Sequence, residues 1–264
     1  ALDLISSLAS RHGARVGLGG CARQVWAALR LQMVDGQAQL GPDDVVQRAR
    51  SCLVLVLRAA ADEEEMEGVP GAATEILSGI KMQCLVELKT PEEPRCRKST
   101  VALQCCLGAH PLTNAAIMPL MIPQLCDAYT DESEVTLYRK LTFLHVLLEG
   151  VMSIRVLIGY MESHPPKNGD TSNPLLPYVD RIFGVACDGI INGAHLGGDG
   201  NEGGEAPGLE LLCELMMQGL LDNERAKQAA QHMVQMMCNK DKPSVRACDV
   251  ACKLVASGMH TGEA

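Results

Sequence analysis

A Gly-rich, acidic stretch between two predicted helices is the part of the sequence that comes nearest to a metal-binding pattern. In an EF-hand, oxygen ligands and one glycine recur at fixed positions of the loop. The residues at the first, third, sixth and twelfth positions here are Asp199, Asn201, Gly204 and Glu210. However, Gly203 and Pro207 take the fifth and ninth positions, where that loop needs a ligand or a water-bridging residue. We therefore interpret 195–208 as a flexible linker, with calcium binding as the alternative.

The twelve cysteines do not form a metal-ligand pattern. A structural zinc site needs four ligands and is usually signalled by paired short spacings such as Cys-x-x-Cys, which this sequence lacks. Its nearest pairs are Cys105 with Cys106 and Cys248 with Cys252, and the second pair would share one helix face. Several cysteines lie inside apolar helical patterns, which predicts packed thiols in a reducing compartment. These are Cys52, Cys105, Cys126, Cys213 and Cys252.

Several common catalytic motifs are absent from the sequence. There is no Gly-x-Ser-x-Gly, no His-Glu-x-x-His and no Gly-Lys-Ser/Thr ending of a phosphate-binding loop. His145, which stands among apolar residues, is interpreted as a packing histidine, and His110, which precedes Pro111, as a turn residue. We predict no catalytic residue, no metal and no cofactor. A helical enzyme or metal protein that uses scattered Cys and His remains the alternative of another class.

Charge and composition exclude several kinds of partner. A net charge of −9 and an aromatic content of 3% argue against direct binding of nucleic acid, which needs clustered cations and stacking platforms. The most apolar stretch, 141–161, is interrupted by His145, Glu149 and Arg155, so no membrane span is predicted. The first twenty residues lack an apolar run of signal-peptide length. We therefore expect a cytoplasmic and/or nuclear location. Because the sequence begins with Ala1 and not with an initiator Met, we also expect the chain to be a segment of something longer.

Two groups of charged residues are candidate surfaces for binding a protein partner. The first is a basic ridge on the second helices of two helix pairs, made of Arg97, Lys98, Arg139 and Lys140. Its alternative interpretation is ordinary solvation or ion pairing between repeats, which is common in repeat arrays. The second is an acidic patch in a predicted solvated loop, made of Asp62, Glu63, Glu64 and Glu65.

The elements that must position these residues are all helical. Apolar residues recur with a period near 3.6, and Pro, Gly and acidic residues punctuate them, which predicts about a dozen helices. Loops are expected at about 62–71, 163–174 and 195–208. The predicted helices cover 2–10, 21–34, 43–60, 72–88, 95–107, 113–129, 134–149, 151–162, 175–192, 209–221, 223–238 and 242–257.

The helices repeat as pairs, most clearly at 112–150 and 209–238. Acidic residues at corresponding turns, Asp44, Glu93 and Asp131, are 49 and 38 residues apart, and Asp222 follows 91 residues later. A period of about 40 to 47 residues is typical of HEAT and armadillo arrays. We therefore predict an all-α fold, a single continuous α-solenoid over 1–264 built of HEAT-like or armadillo-like helix pairs.

The order of these repeats resembles a known family. The segments 76–107, 117–151 and 209–238 are similar to the central HEAT repeats of the large adaptor of the cytosolic iron-sulfur assembly targeting complex, the family named for methyl-methanesulfonate sensitivity. The resemblance lies in apolar positions, turn residues and repeat order, and nuclear transport receptors and the phosphatase 2A scaffold share that pattern. No functional residue is carried over, because the family docks its assembly partners largely through its C-terminal repeats, whereas the resemblance here is to its central repeats.

The resemblance implies a non-catalytic scaffold that brings iron-sulfur assembly factors to apo iron-sulfur client proteins, and so serves DNA repair and transcription indirectly. Another HEAT scaffold, a nuclear transport receptor or a phosphatase scaffold, is the alternative within binding proteins.

Overall fold

The computed structural model describes residues 5, 7, 9, 11, 17, 20–35, 44–89, 94–131, 137–166, 169–196, 206–238 and 244–261. Over these residues the chain is all-α, with 86% helix and no strand, which confirms the predicted class. Ten α-helices are present there, slightly fewer than the dozen expected. One reason is that two predicted helices are a single helix. Another is that the helix predicted at 2–10 lies mostly outside the described residues.

The described helices are numbered in chain order. They are α1 (Ala22–Arg30), α2 (Asp44–Glu67), α3 (Ala72–Ile80), α4 (Pro94–Ala109), α5 (Pro111–Thr130), α6 (Leu137–Ser163), α7 (Val179–Leu196), α8 (Ala206–Met217), α9 (Asn223–Met237) and α10 (Val245–Thr261). Helices α1 and α3 each continue into a π-helical turn, Leu31–Asp35 and Lys81–Leu85, and a 3-10 turn at Leu176–Tyr178 precedes α7. Helix α5 runs through Pro119 and Pro123, as predicted.

Helix α2 is longer than predicted, and the loop expected at 62–71 is wrong for 62–67. The helix continues to Glu67 and ends at Gly68, whose φ of +70° places it in the left-handed region that favours glycine after a helix. The amide N–H of Gly68 donates to the carbonyl of Glu64 at 2.8 Å. The loop is expected because acidic side chains at a helix C-terminus interact unfavourably with the helix dipole. The helix persists because its acidic side chains contact other segments of the chain.

A single helix, α6, replaces the two helices predicted at 134–149 and 151–162. Gly150 is expected to stop the first, since glycine commonly follows a helix end. In the structure Gly150 is helical and buried, and so are Leu147 and Val151 beside it. Burial of large apolar side chains on both sides outweighs the roughly 1 kcal/mol that glycine costs inside a helix.

The linker predicted at 195–208 is wrong at both of its ends. Helix α7 extends to Leu196 and α8 already begins at Ala206, so Pro207 and Gly208 are helical. Gly208 is buried against α7, where a Cβ would stand 2.8 Å from the carbonyl oxygen of Ala186. Close packing of two helices therefore requires this glycine. In the connection predicted at 163–174, Ser163 is the last residue of α6, and the described positions 164–166 and 169–174 carry no helix.

The described chain divides into two compact units, Ala1–Pro123 with Ser153–Ser172, and Gln124–Met152 with Asn173–Ala264. In the first unit α1 packs on α3 and α2 packs on α4, while α2 and α4 both contact α3 and the π turn of α1 reaches α2 and α4. In the second unit α8 packs on α7 and on α10, and α9 contacts α8 and α10. A single continuous array over 1–264 stays a prediction.

Candidate partner-binding surfaces

The acidic patch predicted at 62–65 lies at the end of α2 in the first unit, and its side chains have different surroundings. Glu64 is 6% exposed and accepts hydrogen bonds from the amides of Gly71 and Thr74, both at 2.7 Å, and from the Thr74 hydroxyl at 2.9 Å. These groups belong to the N-terminus of α3, where the N-cap residue Gly71 has no side chain to satisfy them. Glu64 is therefore the cap of α3, and its role as a partner-binding residue stays a prediction. Its neighbour Glu63 is half-buried.

Asp62 and Glu65 lie beside His110, a residue expected only to form part of a turn. His110 does lie in the turn between α4 and α5, but it is buried. Its Nε2 is 3.5 Å from Oδ1 of Asp62 and 3.7 Å from Oε1 of Glu65. Its Nδ1 accepts the amide hydrogen of Leu112 at 3.2 Å, which leaves Nε2 as the ring nitrogen that faces the two carboxylates.

The same cluster includes Arg58 and Tyr160. The guanidinium of Arg58 lies 4.2 Å from the centroid of the Tyr160 ring, and its Nε donates to the carbonyl of Ala109 at 2.9 Å. The Tyr160 ring is 6.0 Å from that of His110 and stacks on His164 at 4.5 Å. Partial burial raises the pKa of Tyr160, and the charge of Asp62 raises it further, while Arg58 opposes the shift. These contacts join three segments of the first unit, namely α2, the turn at His110 and α6. Asp62 and Glu65 of the acidic patch take part in them.

The predicted basic ridge is divided between the two units. Lys98 is half-buried on α4 in the first unit, and the side chain of Arg97 lies outside the described residues. Arg139 and Lys140 are half-buried on α6 in the second unit. The Nζ of Lys140 lies 5.2 Å from the ring centroid of Tyr129. A ridge formed by all four residues stays a prediction.

A cleft between α1 and α3 in the first unit was not predicted from the sequence. Its volume is about 780 Å³. Trp26 lies in it against Gly79, where a Cβ would stand 2.7 Å from Cδ1 of the indole. The indole N–H donates to Oε1 of Gln83 at 3.0 Å. The sequence contains two signals of this contact, its single tryptophan and a glycine inside a predicted helix. No local pattern indicates that these two residues meet.

The rim of this cleft combines apolar and basic side chains. Leu31 and Met82, which belong to the two π turns, are 57% and 70% exposed. Arg23 and Arg30 lie seven residues apart on α1 and both line the cleft. The Nη2 of Arg23 is 3.6 Å from Oε1 of Glu75, and the Arg23 side chain remains 82% exposed.

The burial predicted for five cysteines is confirmed for four of them. Cys52, Cys105, Cys126 and Cys213 are buried, whereas Cys252 is exposed, as is Cys248 on the same helix. Burial raises the pKa of Cys105 to about 12 and that of Cys126 to about 11, which keeps both thiols protonated. Over the described residues, no group of three or more His, Cys, Asp or Glu is placed to hold a metal ion. In the calcium candidate Asp199, Asn201 and Gly204 lie outside the described residues.

Helix α6 bears on two further predictions. His145 is not a packing residue: its side chain is 58% exposed and its Nε2 lies 3.5 Å from Oε1 of Glu149. Among the described helices, Arg139–Ser163 is long and apolar enough to cross a membrane by length and composition. Its most apolar window is 56% buried inside the protein, and the core helix of a soluble protein meets the same criteria.

Comparisons of the chain with protein-family models, with curated proteins and with solved structures found no match.

Proposed function

We propose that this chain is a non-catalytic α-solenoid scaffold that presents helical surfaces to protein partners. The observation that carries the proposal is the packing order of the helices. In the first unit alternate helices stack, α1 on α3 and α2 on α4, and in the second α8 stacks on α10. Consecutive helices also contact each other in both units, as α2 and α3 do, and as α9 and α10 do. Stacked helix pairs with mainly near-neighbour contacts are typical of solenoids, which bind extended partners along their surfaces.

The specific role that we propose is in cytosolic iron-sulfur protein assembly, with assembly factors and apo iron-sulfur proteins as partners. Its support is the resemblance of 76–107, 117–151 and 209–238 to the repeats of that family's adaptor. A role in DNA repair and transcription would be indirect, through the client proteins. We propose a cytoplasmic and/or nuclear location on the same ground.

Affinity capture tests this role against its rivals. The purified chain is immobilised, incubated with cell extract, and the retained proteins are scored by mass spectrometry. Enrichment of iron-sulfur assembly factors and their clients supports the proposal. Enrichment of import cargo or phosphatase subunits alone would assign the chain to another class of scaffold. Metal analysis addresses the enzyme alternative, because stoichiometric zinc or iron retained through chelation would contradict a scaffold without metal chemistry.

A further inference from the structure

We propose that the cleft between α1 and α3 is a docking site for an acidic, amphipathic peptide segment of a partner protein. The inference deepens the proposed scaffold function and rests on it. Three properties of the cleft lead to this class of ligand: its construction, its exposed apolar surface and its charge.

The construction of the cleft is specialised at the backbone level. Both helices that line it change from α to π geometry along it, at Leu31 on one side and at Lys81 on the other. Single π turns within helices recur at functional sites. Gly79 admits the Trp26 indole against the helix, and Gln83, within the second π turn, holds the indole N–H. The volume of about 780 Å³ lies in the range of ligand-binding clefts.

The apolar part of the cleft is suited to a large apolar side chain. Trp26 is 4% exposed, whereas Leu31 and Met82 leave more than half of their surface in water. Covering such surface with an apolar face is favourable, and methionine adapts its shape to different partners. An amphipathic helix that inserts apolar side chains into a groove is a recurring mode of peptide recognition.

The charge of the cleft selects the polar face of that peptide. Arg23 and Arg30 lie on one face of α1, because seven residues span about two helical turns. Among the described lining residues Glu75 is the one acid, so the cleft carries a net charge of about +1 in a chain of net charge −9. Carboxylates on the partner match this local charge, and a basic peptide opposes it. A single-stranded nucleic acid would need an aromatic face open for stacking, but Trp26 is buried.

The single tryptophan makes the test direct, since the intrinsic emission of Trp26 reports on this cleft alone. The full chain is titrated with a synthetic amphipathic peptide that carries Leu on one helical face and Glu on the other. Its twin carries Lys at every Glu. We expect a saturable change in Trp26 emission with the Glu peptide, weakened by salt, and affinity at least about tenfold lower for the Lys twin.

Variants with matched controls locate the binding. Met82→Ser is expected to lower the affinity for the Glu peptide about tenfold. Met66→Ser is the control, because Met66 is 72% exposed on α2 outside the cleft, and it should leave this affinity unchanged. Likewise Arg23→Gln weakens binding several-fold and Arg48→Gln, an exposed arginine of α2, does not. The proposal would be overturned by equal affinity for the two peptides or by the absence of calorimetric binding. It would also be overturned if Met66→Ser and Met82→Ser lowered the affinity equally. Competition by inorganic phosphate or a short oligonucleotide at constant ionic strength would also overturn it.

Failure of this site and failure of the scaffold function give different results. If Met82→Ser retains every partner that the unmodified chain captures from extract, the cleft is not the docking site and the scaffold function stands. If neither form retains a partner, the scaffold function itself fails.

Discussion

The indole of Trp26 lies against the backbone of α3 at Gly79, so closely that a Cβ at this position would approach Cδ1 to 2.7 Å and Nε1 to 2.8 Å. A rigid ring cannot move away as the end of a flexible chain can. The contact fixes the spacing of α1 and α3, and with it the width of the cleft.

Gly79→Ala is therefore expected to destabilise the fold even though alanine favours helices. Displacement of the indole costs about 1–3 kcal/mol, more than the roughly 1 kcal/mol gained in helix propensity. Urea unfolding should show a lower midpoint, and Trp26 emission in the folded state should shift to longer wavelength. Gly159→Ala is the control, because Gly159 is an exposed helical glycine at which an added Cβ would meet nothing within 4 Å. It should gain about 0.5–1 kcal/mol. Equal effects at both positions would contradict the close contact.

Glu64→Gln tests the capping of α3. The substitution keeps the shape of the side chain but removes its charge and replaces one acceptor oxygen with a donor, so the hydrogen bonds from Gly71 and Thr74 are weakened. We expect a loss of about 1–2 kcal/mol in the free energy of unfolding, measured from the urea midpoint at constant m-value. Glu67→Gln, at the exposed end of α2, should stay within about 0.5 kcal/mol of the unmodified chain. A larger loss at Glu67 would argue against the cap.

The ionisation of Tyr160 should respond to its charged neighbours in opposite directions. Its pKa is raised above the ordinary value of 10.0 by burial and then by Asp62, and is lowered by Arg58. Removal of the positive charge in Arg58→Gln should raise the pKa further, and Asp62→Asn should lower it. Ultraviolet titration of phenolate formation measures this, with Tyr160→Phe identifying the signal among four tyrosines. Shifts of the same sign in both variants would contradict the electrostatic origin.

Alkaline pH should destabilise the fold through the same residue. The folded state holds the Tyr160 proton more tightly than the unfolded chain does, so the stability that this proton contributes is present below about pH 10. It is lost as pH rises through the higher folded pKa. Unfolding midpoints measured across this range should fall less steeply for Tyr160→Phe than for the unmodified chain.

The rate of alkylation should differ between exposed and buried cysteines. Cys21, Cys238, Cys248 and Cys252 are exposed and should react rapidly with iodoacetamide. Cys105 and Cys126, whose pKa values burial raises to about 12 and about 11, should react only after unfolding, because the thiolate is the reactive form. Peptide mapping by mass spectrometry reads each site. Rapid labelling of Cys105 in the folded chain would contradict its burial.

Several features of the fold could be predicted because they depend on residues close in the chain. Helix α5 is expected at 113–129 in spite of two prolines and is found at Pro111–Thr130. Helix α9 begins after Asp222, whose carboxylate accepts the Arg225 amide hydrogen at 2.8 Å, as a capping residue does. Where apolar burial outweighs a local signal, as at Gly150 and Gly208, the predicted boundaries are wrong.

The candidate sites were less predictable than the helices. Glu64 stands in an acidic run that looks solvated, and only the folded chain brings the start of α3 to its carboxylate. His110 is correctly predicted to lie in a turn, but its neighbours Asp62 and Tyr160 come from distant segments. A charge pattern in the sequence does not say which of its side chains are buried.

The sequence by itself determined the helical class, most helix positions and the overall acidic charge, because periodicity, capping and composition act over a few residues or over the whole chain. Tertiary structure alone decided that Trp26 meets Gly79, that Glu64 caps a second helix and that two π turns border one cleft. These relationships depend on how side chains from separate helices pack together, and the local spacing of residues does not contain that information.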